Sequence, residues 1–378
     1  MGPIAPVEIA PGVEGMVTTT YQAALHLLRN TPTQFAKDPR GNWAAWEQGR
    51  IAPDSPALAM MRPRNNALWM DGAPHTRLRG AITDSLSKIN SHHLADAVEQ
   101  ITDQLIDRFS SGGRADLIAD FADPLPVHAL AWLAGAPDEL GEEIAHCLAR
   151  LFDTAEDAAA ANQQLEAACL RLVRLRRRQP GTDATSYLLA HPARLTDEEM
   201  AQTILLLIGA GTTPATNLIG NALKLLISED AFAGSVESGA VAIADVLDHV
   251  LWEDPPVSNY SPLYPRHLMV YDGIALQPGV PILVSFAAAN AELATSHSAN
   301  SLIGNRAHLA FSAGAHACPV PGLARVLAET AIERLLDRLP GITISGPTHR
   351  RPGTFTSGWA TLPTRFPPAP TVHFGGTA

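Results

Sequence analysis

Cys318 lies in the stretch LAFSAGAHACPVPGLARVLAE, residues 309–329, with Phe311 seven residues before it, Gly314 four before and His316 two before. Leu323, Ala324 and Arg325 follow at five to seven residues after it. A lone cysteine is ordinarily a small buried hydrophobe. Here the neighbours suit an iron-binding thiolate, which needs a tight loop of small residues so that backbone N–H groups approach sulfur. A helix starting near Pro321 would add its positive end to the same charge. A second pair, His75 and Arg79, occurs in LWMDGAPHTRLRGAITDSLS. Spaced i and i+4, both fall on one helix face, where two donors can meet one edge of a planar anion. Without such an anion they are an ordinary surface pair.

These residues need elements to hold them, and helical periodicity dominates the chain. SHHLADAVEQITDQLIDRF puts Leu94, Val98, Ile101, Leu105 and Ile106 on one stripe. TDEEMAQTILLL opens with Thr196 and Glu199 at capping-box spacing, so a long helix is expected over 196–227. PGLARVLAETAIERLLDRLPG repeats apolar residues from Leu323 to Leu339, and Pro340-Gly341 stops it. Strand signals are few: HLMVYDGIALQPGVPILVSF is broken by Gly273 and Pro278-Gly279, as in a small hairpin sheet. Residues 1–16 and the proline-rich tail from Arg365 read as irregular, and no repeat period is present. The expectation is one mainly α domain over 1–378, with a minor β portion and with 309–340 forming the cysteine loop and its helix.

With 46% hydrophobic and 17% charged residues, the chain has material for a large core and does not read as disordered. A formal charge of −11 and no concentrated basic surface exclude a duplex-binding protein. The densest basic run, RLVRLRRRQP, reads as a solvated helix end. Three cysteines, Cys147, Cys169 and Cys318, make neither a disulfide framework nor a zinc spacing. The start lacks a basic end followed by an apolar core, so no signal peptide is read there. Residues 200–223 are uncharged and long enough to span a bilayer, but their threonines and asparagines suit a helix through a large globule. A cytoplasmic, soluble protein is expected.

The residues around Cys318 resemble the haem-thiolate loop of the cytochrome P-450 family, soluble actinobacterial type, whose pattern F-x-x-G-x-H/R-x-C precedes a helix beginning near L-A-R. NRAHLAF upstream, DGAPHTRLR around His75 and Arg79, LLIGAGTTPATNLIGNAL, EDPPV and PILVSFAAANAE resemble further family segments in the same order, over nearly the whole chain. The resemblance implies the P-450 fold, a triangular helical body with a long central helix and a small β portion. It implies haem b, with Cys318 as axial iron ligand. His75, Arg79 and His316 would lie at the haem propionates, and Arg266 would be a third propionate contact. Ala210 and Gly211 would lie on the helix crossing the haem, and Phe311 and Gly314 in its loop.

The chain departs from the family where oxygen is activated. The acid and alcohol that usually follow A-G-x on the long helix are Thr213 and Pro214 here. Neither Thr212 nor Thr213 can act as an acid near neutral pH, though either could hold a water. The family's E-x-x-R positions fall on His249 and Trp252, an exchange of both partners that need not cost stability. Val320 replaces the glycine two residues after the cysteine, between two prolines without N–H groups, so fewer hydrogen bonds to sulfur are expected.

The expected activity is a monooxygenase or oxidase acting on a small apolar or aromatic natural-product intermediate. It would use dioxygen with electrons from a ferredoxin and its reductase, or peroxide, to hydroxylate or to couple C–C or C–N bonds, as in a cyclic dipeptide. Arg77 and Arg325 would belong to a basic docking face. The alternative is a catalytically silent P-450-like auxiliary protein that stabilises a partner such as a glycosyltransferase.

Overall fold

The computed structural model describes residues 2–150, 155–228, 242–295 and 304–372. Residues 4–18 are not the irregular lead expected over 1–16. They form an antiparallel hairpin, β1 (Ile4–Ala10) with β2 (Val13–Thr18), turned at Gly12, whose N–H donates to Glu8 Oε1 at 2.8 Å. The sheet continues with β3 (Phe35–Ala36), β4 (Asn259–Pro265) and β5 (Ile282–Ser285), in the order β1-β2-β5-β4-β3. Pro6 is tolerated because β1 is the edge strand, where a residue without an N–H leaves no inner ladder bond unmade. The expected hairpin is present as Met269–Tyr271 paired with Ile274–Leu276.

Two further small sheets, Pro363–Arg365 between Arg114–Asp116 and Thr343–Ile344, and His349–Arg350 with Trp359–Thr361, accompany an otherwise mainly helical body. The main core runs from Ala67 through the central helix to Phe366. The Leu94 stripe lies on a helix at Ser91–Asp107, with Leu94, Val98, Leu105 and Ile106 buried and Ile101 half-buried. The central helix spans Asp197–Ser228 and passes unbroken through Pro214. Its capping box is made: Thr196 N–H donates to Glu199 Oε2 at 2.9 Å, and Glu199 N–H to Thr196 Oγ1 at 3.2 Å. It is long and apolar enough to cross a bilayer, yet Ala215 through Leu223 are buried inside the protein.

The helix after the cysteine loop, Pro321–Arg338, is fixed by charge as well as by apolar packing. Arg334 makes a two-pronged contact with the buried Asp103, at 2.9 and 2.8 Å, and Arg338 adds a third donor. A buried carboxylate is tolerable only when its lone pairs are taken up in this way. The basic run at 171–178 is less free than expected. Arg176 donates to the Gly135 carbonyl and pairs with Asp183, and Arg177 pairs with Asp197.

Candidate functional site

A cavity of about 320 Å³ lies between the central helix, the cysteine loop and the helix Gly72–Leu86. The central helix contributes Ala210, Gly211 and Pro214, and the loop contributes Phe311, Cys318 and Val320. Gly211 matters for packing: a Cβ there would come within 2.7 Å of Leu130, which also lines the cavity. Apart from Lys37, Arg79, Ser261 and Ser312 with His316 and Tyr260, the lining is apolar.

The loop closes on itself before the thiol. Ser312 N–H donates to the Leu309 carbonyl, Ala317 N–H to Gly314, and Cys318 N–H to Phe311, at 2.7, 3.2 and 2.9 Å. Gly314 has a φ of +71°, and a Cβ on it would sit 2.2 Å from the Leu28 carbonyl oxygen, so both conformation and space demand glycine. Gly314 therefore shapes the loop without lining the cavity. Burial pushes the Cys318 thiol up, while the nearby backbone of Val320 and the Arg79 charge pull it down. Pro319 and Pro321 have no N–H to offer the sulfur, and the start of the Pro321–Arg338 helix lies beside the thiol. The other cysteines are inert by comparison: both are buried, and burial pushes Cys169 up to about 12.

Polar groups converge on one end of the cavity. Arg79 donates to the Ala317 carbonyl, next to Cys318. The rings of His75 and His316 lie 4.1 Å apart, centre to centre. Both Nε2 atoms are buried without a hydrogen-bond partner; that of His316 is 3.9 Å from Asp71, too far to bond. Burial first, then the charges of His316 and Arg79, lower His75 to about 4, and burial also lowers His316. Two imidazoles whose buried Nε2 atoms have no hydrogen-bond partner thus stand near the Arg79 guanidinium.

Of the residues expected at the site, Arg79, Ala210, Gly211, Phe311, His316 and Cys318 line the cavity, and His75 stands behind His316. Three do not belong there. Arg266 turns away, donating to the Pro32 carbonyl at 2.6 Å and to Asp71 Oδ2 at 3.1 Å. Its place in the sequence is several residues late, and the β3–β4 ladder directs it outward. Thr212 donates to the Ile208 carbonyl at 2.7 Å, so its hydroxyl serves its own helix. Thr213 is not part of the lining either. The wall they were expected to furnish carries no protonatable side chain.

One cationic side chain was missed. Lys37, fully buried, lines the same polar end. Its neighbours Trp69 and Tyr260 lie about 30 and 220 residues away in sequence, so no local spacing signals it. Trp69 itself is a core residue beneath that ammonium.

Trp252, at the position expected for arginine, is buried and donates its Nε1–H to the Asn305 carbonyl at 2.7 Å, tying the helix Ile243–Glu253 to the NRAHLAF segment. A charged pair is nonetheless present one position from His249. Arg325 reaches the buried Asp248 and the Ala244 carbonyl. Arg325 is therefore buried and paired, and not part of a docking face. Arg77 pairs with Glu199.

No family model matches the chain. By sequence it is 28% identical over 393 residues to the 2-hydroxy-5-methyl-1-naphthoate 7-hydroxylase of Streptomyces carzinostaticus, covering all of this chain and 93% of that protein. It is 27% identical to the cytochrome P450 monooxygenase PikC of Streptomyces venezuelae, covering 97% of this chain and 88% of that one. Its fold matches CYP154C4 from Streptomyces sp. ATCC 11861 with a TM-score of 0.87 and 26% identity, covering 97% and 94% of the two chains.

Proposed function

We propose, from the premise that the chain belongs to the bacterial cytochrome P-450 family and is a haem-b monooxygenase, that Cys318 ligates the iron and that the substrate is a small apolar or aromatic natural-product intermediate. The residues present fit the cofactor. A thiol at the cavity wall faces a helix N-terminus, and the orphaned nitrogens of His75 and His316 with Arg79 offer donors to the carboxylates of the porphyrin. When bound, the haem supplies activation of dioxygen and insertion of one oxygen atom. The chain's own residues hold the sulfur, pair the carboxylates and exclude water from an apolar chamber. Leu206, Leu207 and Leu130 would press on an apolar substrate.

Hydroxylation consumes substrate, dioxygen, two electrons and two protons, and yields alcohol and water. The central-helix wall, Ala210, Gly211 and Pro214, holds no group to relay those protons. That favours an atypical route. Either peroxide donates the oxygen, giving alcohol and water without added electrons or protons, or hydroxyl or N–H groups of the substrate carry the protons. The second route suits oxidative C–C or C–N coupling, as of a cyclic dipeptide, in which two hydrogens leave the substrates and two waters form from dioxygen, two electrons and two protons. A ferredoxin with its reductase would supply the electrons, and all three would work in the cytoplasm. The aromatic substrate named for the naphthoate hydroxylase relative supports the aromatic class.

The observation that carries the reading is the thiol of Cys318 in a closed loop near two histidines whose buried Nε2 atoms have no partner. The test is the spectrum of the reduced, carbon monoxide-bound protein. Wild type is expected to show the red-shifted thiolate band and Cys318→Ser to lose it. A colourless wild-type preparation that still bound a partner enzyme would favour the auxiliary role instead.

A further inference from the structure

Lys37 follows the two-residue strand β3, whose pairing with β4 (Phe35 with Pro265, Ala36 with Tyr264) brings the next side chain to the end of the sheet and into the cavity wall. The side chain is fully buried. Its ammonium lies over two aromatic faces, 5.2 Å from the Trp69 ring centre and 5.1 Å from that of Tyr260. Its nearest oxygens, Ser261 Oγ and the Pro262 carbonyl, are both at 3.4 Å. Among the described residues no carboxylate reaches it. The nearby acid, Asp71, is spent on the backbone N–H groups of Lys37 and Asp38 and on Arg266. Three strong donors in a low-dielectric site with aromatic faces and two long contacts are under-satisfied, and a buried cation without an anion is costly. Burial lowers this lysine to about 7, partly opposed by Asp71.

The missing partner is therefore an anion inside the cavity, at the end where Arg79 and His316 also point. We propose that Lys37 is the cation for a haem carboxylate, standing where Arg266 was expected. This rests on the haem reading above. The cofactor brings two carboxylates to one edge. His75, His316 and Arg79 form one donor cluster, and Lys37, near enough to His316 to act on its charge, supplies a further positive charge. A charge-assisted hydrogen bond of this kind contributes on the order of a tenfold to hundredfold difference in retention.

The measurement is the rate of haem transfer from the holoprotein to excess apomyoglobin. Lys37→Met is expected to transfer haem about 10- to 100-fold faster than wild type, and Lys37→Arg to stay within about threefold. Lys37→Gln, which keeps a donor of similar size, serves if Lys37→Met does not accumulate as holoprotein, and is expected in between. Reconstitution with haem dimethyl ester removes the anion from the other side. Esterification should accelerate transfer in wild type about tenfold more than in Lys37→Met, because the lost partner counts only once. An unchanged transfer rate in Lys37→Met, or an ester effect equal in both proteins, overturns the assignment. So does a variant that holds haem normally but weakens the spin-state response to carboxylated ligands, since the anion would then be a substrate. In each of these cases a retained red-shifted carbon monoxide band leaves the Cys318 reading standing, whereas its absence from wild type removes both.

Discussion

The two sides of the cavity differ in what they offer a ligand. The polar end gathers Arg79, His75, His316 and Lys37; the buried Nε2 atoms of the two histidines have no partner, and the Lys37 ammonium has only two long contacts. The central-helix wall offers Ala210, Gly211 and Pro214, and the hydroxyl of Thr212 is bonded back to Ile208. One side is over-supplied with donors for a fixed anionic group, and the other has none for a reacting one. The contrast teaches that holding a cofactor and feeding its chemistry with protons are separable in this fold. Buried donors can remain unsatisfied in the protein alone if a bound group repays their desolvation. A helix wall that packs against substrate and Leu130 has no such need.

The contrast can be broken from the polar end, where the largest effect is expected. Arg79→Leu combined with His316→Leu removes two donors at once, and haem transfer to apomyoglobin should accelerate by about 100-fold or more, with little change in far-UV circular dichroism. An unaltered rate would mean that the donors meet nothing. The opposite wall gives a smaller effect. Returning an acid and an alcohol with Thr213→Asp and Pro214→Thr should raise dioxygen-driven turnover relative to peroxide-driven turnover by about tenfold or more, measured as product formed with each oxidant. A ratio that stays constant would show that protons already arrive by another path. The smallest effect belongs to Arg266, whose guanidinium is partly exposed and bonded to Pro32 and Asp71. Arg266→Ala should cost less than about 1 kcal/mol in thermal unfolding and leave haem transfer unchanged. Faster haem loss in that variant would restore Arg266 to the site and weaken the case for Lys37.

Much was legible because it is local. The loop that needs Gly314, the capping box of Thr196 and Glu199, the one-face spacing of His75 and Arg79, and the apolar stripes of the helices all depend on residues a few positions apart. Their geometry follows from the repeat of the backbone, and a motif preserves it. The hairpin at Ile4–Thr18 was hidden because its prolines argue against a strand until the strand is known to be at an edge.

By itself the sequence determined the helical class, the thiol's loop and the loss of the acid–alcohol pair, since each is written in side-chain type and short spacing. Tertiary structure alone decided that Lys37, and not Arg266, joins Arg79 in lining the cavity. Arg266 follows β4 and Lys37 follows β3; with these strands paired, the first bonds Pro32 and Asp71 and the second lies over Trp69 and Tyr260. The same long-range packing set Arg325 against Asp248 and Trp252 against Asn305. Partners brought together across tens to hundreds of residues leave no periodic trace, and their energies depend on burial that exists only once the chain has closed around them.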